Sequence, residues 1–112
     1  MNILFLCTSN LHRSRTAEDY FRSKHPLIDF KSAGLSKKFC KQNKTKLCTV
    51  ELLTKADKIF VMEEMHVKRI KEHTQNEFLN KITNLGIEDK YKYFDDELIE
   101  LLVQRVDLNG LL

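Results

Sequence analysis

The stretch with the clearest chemical potential is Cys7-Thr8-Ser9-Asn10-Leu11-His12-Arg13-Ser14. A cysteine and an arginine five residues apart can wrap one turn of backbone around an anion. The loop N–H groups, and the N-terminus of a following helix, supply donors and positive potential. That field favours the nucleophilic thiolate of Cys7. Arg13 offers a planar fork that grips two phosphate oxygens. Ser14 is placed to donate a hydrogen bond to the sulfur. Asn10 tolerates a left-handed backbone and can tie the loop down with its amide. Thr8 to Ser14 are therefore candidate phosphate-binding residues, with phosphate or sulfate the expected occupant. Singly, these residues mean little: a strand-end cysteine is ordinary core packing, and His12 reads as loop filler.

The surrounding pattern must hold that loop in place. Ile3 to Leu6 is wholly apolar, as in a strand buried on both faces. Ser14 to about Lys24 has helical spacing at Ala17, Tyr20 and Phe21, and His25-Pro26 ends it. Ile28 to Ala33, closed by Gly34, reads as a second strand. The segment Ser36 to Lys46 is polar and reads as a loop. Thr49 caps a short helix with Val50, Leu52 and Leu53. Lys58 to Met62 is a third buried strand, and Glu64 to about Phe78 a helix with Val67, Ile70 and Thr74 inward. Lys81 to Leu85 is a weaker fourth strand, and Gly86 to Phe94 irregular. Asp95 caps a last helix carrying Leu98, Leu101, Leu102 and Val106, stopped by Asn109-Gly110. Strands alternating with helices imply an α/β fold with a parallel sheet.

The chain has 112 residues with 3 Gly, 1 Pro and 3 Cys. This length predicts a single domain over 1–112. Scarce Gly and Pro exclude collagen, low-complexity linkers and a turn-dense sandwich. They also exclude glycine-rich nucleotide loops, since no glycine precedes Gly34. Nineteen Lys+Arg against 16 Asp+Glu give a net charge of +3, which permits an anionic ligand without demanding nucleic acid. No apolar run approaches the roughly 18 residues of a membrane helix. The odd cysteine count fits a reducing compartment, so a cytoplasmic protein without nucleic-acid or membrane partners is expected.

Ile3 to Arg22 resembles the N-terminus of low-molecular-weight protein tyrosine phosphatases: a strand, Cys-x-x-Asn-x-x-Arg-Ser, then a helix opening with an Ala-Glu pair. Ser32-Ala33-Gly34, Ala56 to Glu63 and Ile87-Glu88-Asp89-Lys90-Tyr91 resemble further stretches of that family, in order. The resemblance implies a three-layer α/β fold with a four-stranded parallel sheet of order 2-1-3-4 and helices on both faces. It implies a phosphatase, without metal or cofactor, acting on phosphorylated protein or a small phosphomonoester. Cys7 would form a phosphocysteine, Arg13 would stabilise the transition state, and Asp89 would serve as general acid and then base. Tyr91 would wall the pocket.

The chain departs from the family pattern at several points. Lys90 stands where the family has Pro, Arg15 replaces a Pro, and Ser9 and His12 replace the usual Gly and Cys. The segment from Gly34 to Lys58 is short and lacks the family's aromatic and acidic pocket residues. Five lysines between Lys37 and Lys46 would attract acidic substrates if that segment lines the mouth. Two other readings stay open. An arsenate reductase on the same fold would need Cys40 and Cys48 as a relay, although the thioredoxin-coupled relatives carry those thiols after the third strand. A non-catalytic phosphate-binding module would keep the loop without the acid.

Overall fold

The computed structural model describes residues 1–108. Four parallel strands, β1 (Asn2–Cys7), β2 (Asp29–Gly34), β3 (Lys58–Val61) and β4 (Ile82–Asn84), form one sheet in the order β2-β1-β3-β4. Helix α1 (Arg13–Lys24) follows β1, α2 (Lys37–Asn43) and α3 (Val50–Lys55) lie between β2 and β3, α4 (Glu64–Thr74) follows β3, and α5 (Asp96–Arg105) follows β4. The order expected from the family resemblance is the one observed.

The wholly apolar β1 is explained by its central place. Ile3, Phe5 and Cys7 face one core with Ala17 and Phe21 of α1 and Leu98 and Leu102 of α5. Leu4 and Leu6 face a second core with Leu53 of α3 and Ile70 of α4. Alternate side chains of a strand point to opposite faces, so a strand between two helical layers must be apolar throughout. Phe5 stacks with Phe21, Phe30 and Phe60 at centroid separations of 5.6–6.1 Å, which knits α1 to the sheet just below the loop.

Two expectations are corrected. Ser36 to Lys46 holds a helix, α2, rather than a loop: Ser36 Oγ accepts from Phe39 N, Lys44 ends the helix at φ 56°, and Cys40 is its buried contact. The lysine run hid a capped helix because its exposed positions are charged. The helix read to Phe78 ends at Thr74, where Gln75 takes φ 57° and cannot continue it. Helix α5 ends at Arg105, and Asn109-Gly110, read as its stop, lie outside the described residues. Thr49 and Asp95 do cap α3 and α5, accepting from Leu52 N and Glu97 N.

Because β1 connects toward β2 on one side and the chain then crosses to β3 on the other, a crevice opens at the carboxyl edge of the central strands. The segments after β1, β3 and β4 all arrive there.

Candidate active site

Residues 8–12 turn over the end of β1 and enter α1 at Arg13. Their shape follows from where their carbonyls go. Cys7 O accepts from Leu35 N, Thr8 O from Ser36 N, and Ser9 O from Thr45 Oγ1, at 2.9, 2.9 and 2.5 Å. A planar trans peptide points its N–H opposite to its carbonyl. The N–H groups of Ser9 and Asn10 are thereby turned away from the α2 segment. No N–H from Thr8 to Arg13 has an acceptor among the described residues. His12, in the N-cap position, makes no side-chain cap, and the first turn of α1 holds no acidic residue. A helix start left open in this way is a ready anion site.

The base of the loop is a hydrogen-bonded chain. Asn10, at φ 55°, donates its amide to Ser14 Oγ at 2.8 Å and Ser32 Oγ at 2.9 Å. Ser32 donates to Glu18, which pairs with Arg22 at 2.6 Å. Ser14 Oγ lies 3.0 Å from Cys7 Sγ. Since Ser14 already accepts from Asn10, its own hydrogen is shared between the sulfur and Ala33 O, 3.5 Å away. Asn10 and Ser14 thus meet beside the Cys7 sulfur. Gly34 completes the floor. A Cβ there would lie 2.8 Å from Thr8 O and 2.9 Å from Asn10 N.

Arg13 is only 2% exposed and is surrounded by acceptors. Its Nη1 donates to Glu63 Oε1 at 2.5 Å and to Ile87 O at 2.8 Å, while Nε is 3.6 Å from Asp89 Oδ1. With Nη1 engaged behind, the Nε–Nη2 edge is the side left for two oxygens of an anion. Asp89 is 63% exposed, so its carboxyl stands at the rim. The segment carrying it is held at both ends despite Lys90. Ile87 N donates to Met62 O at 2.7 Å, and Phe94 N to Thr16 Oγ1 at 2.9 Å.

Tyr91 does not wall this loop. It packs against the α1–α5 core and lines a groove with Glu97, Leu101 and Gln104 of α5. Tyr93 instead borders the groove containing Leu11, His12 and Arg15, its hydroxyl bonded to Asp19 at 2.5 Å. Apolar surface beside Leu101 draws in the first ring, and the second reaches a polar partner on α1.

His66 was missed in the sequence. It is 2% exposed, with Nδ1 accepting from Glu63 N at 3.0 Å and Nε2 at 2.9 Å from Thr8 Oγ1. Burial, aided by the Arg13 charge, pushes its pKa down to about 4, against the opposing pull of Glu63 and Asp89. The available signal was Glu63 three residues before a polar residue at a helix start, a capping-box spacing. Cys40 Sγ lies 3.9 Å from Thr8 O, whereas Cys48 packs into the α3–α4 core. Burial raises the Cys48 thiol to about 12. Among the described residues, no His, Cys, Asp and Glu cluster could hold a metal ion, and no helix is long and apolar enough to cross a membrane.

A thiol at the base of an anion loop, with an arginine and a rim carboxylate at the carboxyl edge of a 2-1-3-4 sheet, is the set of groups that cysteine-dependent phosphoryl transfer requires. Solved structures of the same fold, to which the chain is similar, include low-molecular-weight protein tyrosine phosphatases. A YwlE mutant from Bacillus subtilis is 26% identical, with 93% of this chain and 95% of that one covered and a TM-score of 0.70. The tyrosine phosphatase Wzb from Escherichia coli K30, in complex with phosphate, is 25% identical, covering 93% and 91% at a TM-score of 0.71. The Streptococcus pyogenes low-molecular-weight protein tyrosine phosphatase SP-PTP has the same fold at 20% identity, covering 98% and 96% at a TM-score of 0.68. No family model and no curated protein matches the sequence.

Proposed function

We propose that the protein hydrolyses phosphomonoesters, with protein phosphotyrosine as substrate, through a phosphocysteine at Cys7. The phosphoryl group sits over the N–H groups of residues 8–13, two of its oxygens on the Nε–Nη2 edge of Arg13. The Cys7 thiolate attacks phosphorus in line, the bond to the leaving oxygen breaks, and Asp89 gives that oxygen its proton. Water then attacks the phosphocysteine, Asp89 takes its proton, and phosphate leaves with Cys7 again a thiolate. Ser14 stabilises the sulfur in both steps, and the loop donors hold the equatorial oxygens of the transition state.

The observation that carries this reading is the 3.6 Å approach of Asp89 to Arg13 across a loop whose N–H groups lack acceptors among the described residues. An acid, a guanidinium and a nucleophile thereby share one mouth. The arsenate reductase reading would need Cys40 and Cys48, which lie near enough to interact electrostatically, as a relay, and arsenate-dependent oxidation of that pair would favour it over the phosphatase.

The test is hydrolysis of para-nitrophenyl phosphate by wild type, Cys7→Ser and Asp89→Ala. Cys7→Ser abolishes turnover, and Asp89→Ala slows it by roughly two to four orders of magnitude. An active Cys7→Ser enzyme sinks the nucleophile assignment, and full activity in Asp89→Ala moves the acid elsewhere. Phosphate binding with no wild-type turnover points to a binding module. A YwlE arginine phosphatase from Geobacillus stearothermophilus is among the similar structures, so phosphotyrosine and phosphoarginine peptides are compared in the same assay. Preference for phosphoarginine overturns the substrate named here.

A further inference from the structure

The turn from β3 into α4 contributes no group to the reaction described above, yet it touches both ends of the anion loop. We infer that His66 is a positioning residue: together with Glu63 it forms a brace that holds Thr8 and Arg13, the first and last residues of the loop, in the phosphate-gripping arrangement. This rests on the phosphatase reading of the loop and adds to it a pair of residues that never meet the substrate.

The direction of each bond in the brace is decided by chemistry. A backbone N–H only donates, so His66 Nδ1, 3.0 Å from Glu63 N, must be the unprotonated nitrogen. The ring proton of the neutral imidazole is then on Nε2, 2.9 Å from Thr8 Oγ1, and is donated to that oxygen. Thr8 directly follows the nucleophile, so fixing its side chain restrains the peptide on which the loop begins. At the other end, the Glu63 carboxylate takes one Nη1 hydrogen of Arg13 and Ile87 O takes the other. Swinging the planar guanidinium about the side chain's aliphatic bonds would break both bonds, which keeps the Nε–Nη2 edge facing the mouth.

The two halves are one unit. The same Glu63 whose backbone N–H fixes the His66 tautomer supplies the carboxylate for Arg13, and its N–H bond to His66 belongs to the capping box that starts α4. A charged His66 would lose Nδ1 as acceptor and release Glu63 N. The charged groups near the ring come from three segments: Arg13 of α1, Glu63 before α4 and Asp89 after β4. Arg69 lines the same small cleft. A histidine kept only as core filling would need neither this tautomer nor a hydroxyl partner on the catalytic loop.

The brace is tested with His66→Leu, His66→Gln, Thr8→Val and the Thr8→Val/His66→Leu double variant, assayed on para-nitrophenyl phosphate with inorganic phosphate as inhibitor. His66→Leu is expected to lower kcat about 10- to 100-fold, with a smaller change in KM and in phosphate inhibition. The loop donors matter most when charge spreads over the equatorial oxygens. His66→Gln, whose amide can donate to Thr8, recovers most of that loss. The double variant is no slower than His66→Leu, since both changes cut one bond. Nitrogen-15 spectra of the imidazole at pH 7 show a neutral ring protonated on Nε2.

An undiminished kcat in folded His66→Leu, losses that add in the double variant, or a ring protonated on Nδ1 overturns the brace. Should His66→Leu fail to fold, Thr8→Val must show the kcat loss alone, and an undiminished Thr8→Val has the same overturning force. An inactive wild-type protein sinks the phosphatase reading and the brace with it. An active wild type with unaffected variants sinks the brace alone.

Discussion

Gly34→Ala places one methyl group beneath the anion loop, and the structure says what that methyl meets. The new carbon would lie 2.5 Å from Cys40 Sγ, 2.8 Å from Thr8 O and 2.9 Å from Asn10 N. The sulfur is on a side chain and can yield. The other two atoms are backbone of the loop itself, and an ordinary carbon contact requires them to retreat by about half an ångström. They cannot do so freely. Thr8 O is bonded to Ser36 N at 2.9 Å, and Asn10 is held at φ 55° by bonds to Ser14 and Ser32. Two effects oppose each other. Replacing glycine restricts the unfolded chain and favours folding by roughly 0.4–1 kcal/mol. Overpacking costs about 1–3 kcal/mol, and with backbone on two sides the upper half of that range applies. The net expectation is a loss of about 1–2 kcal/mol in stability. A loop displaced toward the mouth should lower kcat/KM on para-nitrophenyl phosphate by about 10- to 100-fold. Urea unfolding and steady-state kinetics measure the two separately. Adding Cys40→Ala removes only the sulfur contact, so Gly34→Ala/Cys40→Ala should remain catalytically impaired. A Gly34→Ala protein with wild-type stability and activity refutes the close-approach argument.

Other outcomes follow from the same geometry. Asn10→Ala loses two buried bonds and leaves at φ 55° a residue that tolerates the left-handed conformation less well than asparagine, for an expected cost of about 2–4 kcal/mol. Asn10→Gly loses the same two bonds without the strain and should recover roughly 0.5–1 kcal/mol of that cost; equal losses in the two variants would argue that the left-handed backbone costs alanine nothing here. Burial holds the His66 pKa at about 4 against an ordinary 6.5, so the unfolded chain binds a proton that the native protein refuses. The stability this contributes is complete above pH 6.5 and declines as pH falls toward 4, by an amount of the order of 2–3 kcal/mol. Denaturation midpoints measured across that range should show the decline in wild type and a flatter curve in His66→Gln. The Cys48 thiol, raised to about 12 from 9.0, should react with iodoacetamide at pH 8 about three orders of magnitude more slowly than an exposed cysteine. Peptide mass mapping reads this directly, and rapid labelling of Cys48 would contradict its burial.

What could be read along the chain was whatever short-range chemistry expresses. The run Ile3 to Leu6 announced a strand covered on both faces, because a central strand has no solvent side. Thr49 and Asp95 announced helix starts, because a cap bonds to a backbone N–H two or three residues on. The polar surface of α2 concealed a helix whose buried contact is the single residue Cys40. Tyr91 read as a wall residue until the surface of α5 was in place to take its ring, and Tyr93 first emerged beside the loop in the structure.

The sequence by itself determined the anion loop: Cys7, Asn10, Arg13 and Ser14 lie within eight consecutive residues. Their spacing sets which groups one turn of backbone brings together. Only the tertiary structure decided what surrounds Arg13 and Thr8. Glu63, His66, Ile87 and Asp89 come from segments 50 or more residues away, brought together where parallel strands end at one edge. Side-chain bonds of this kind depend on strand order and on which face each residue presents. Those are properties of the closed sheet, and no local pattern encodes them.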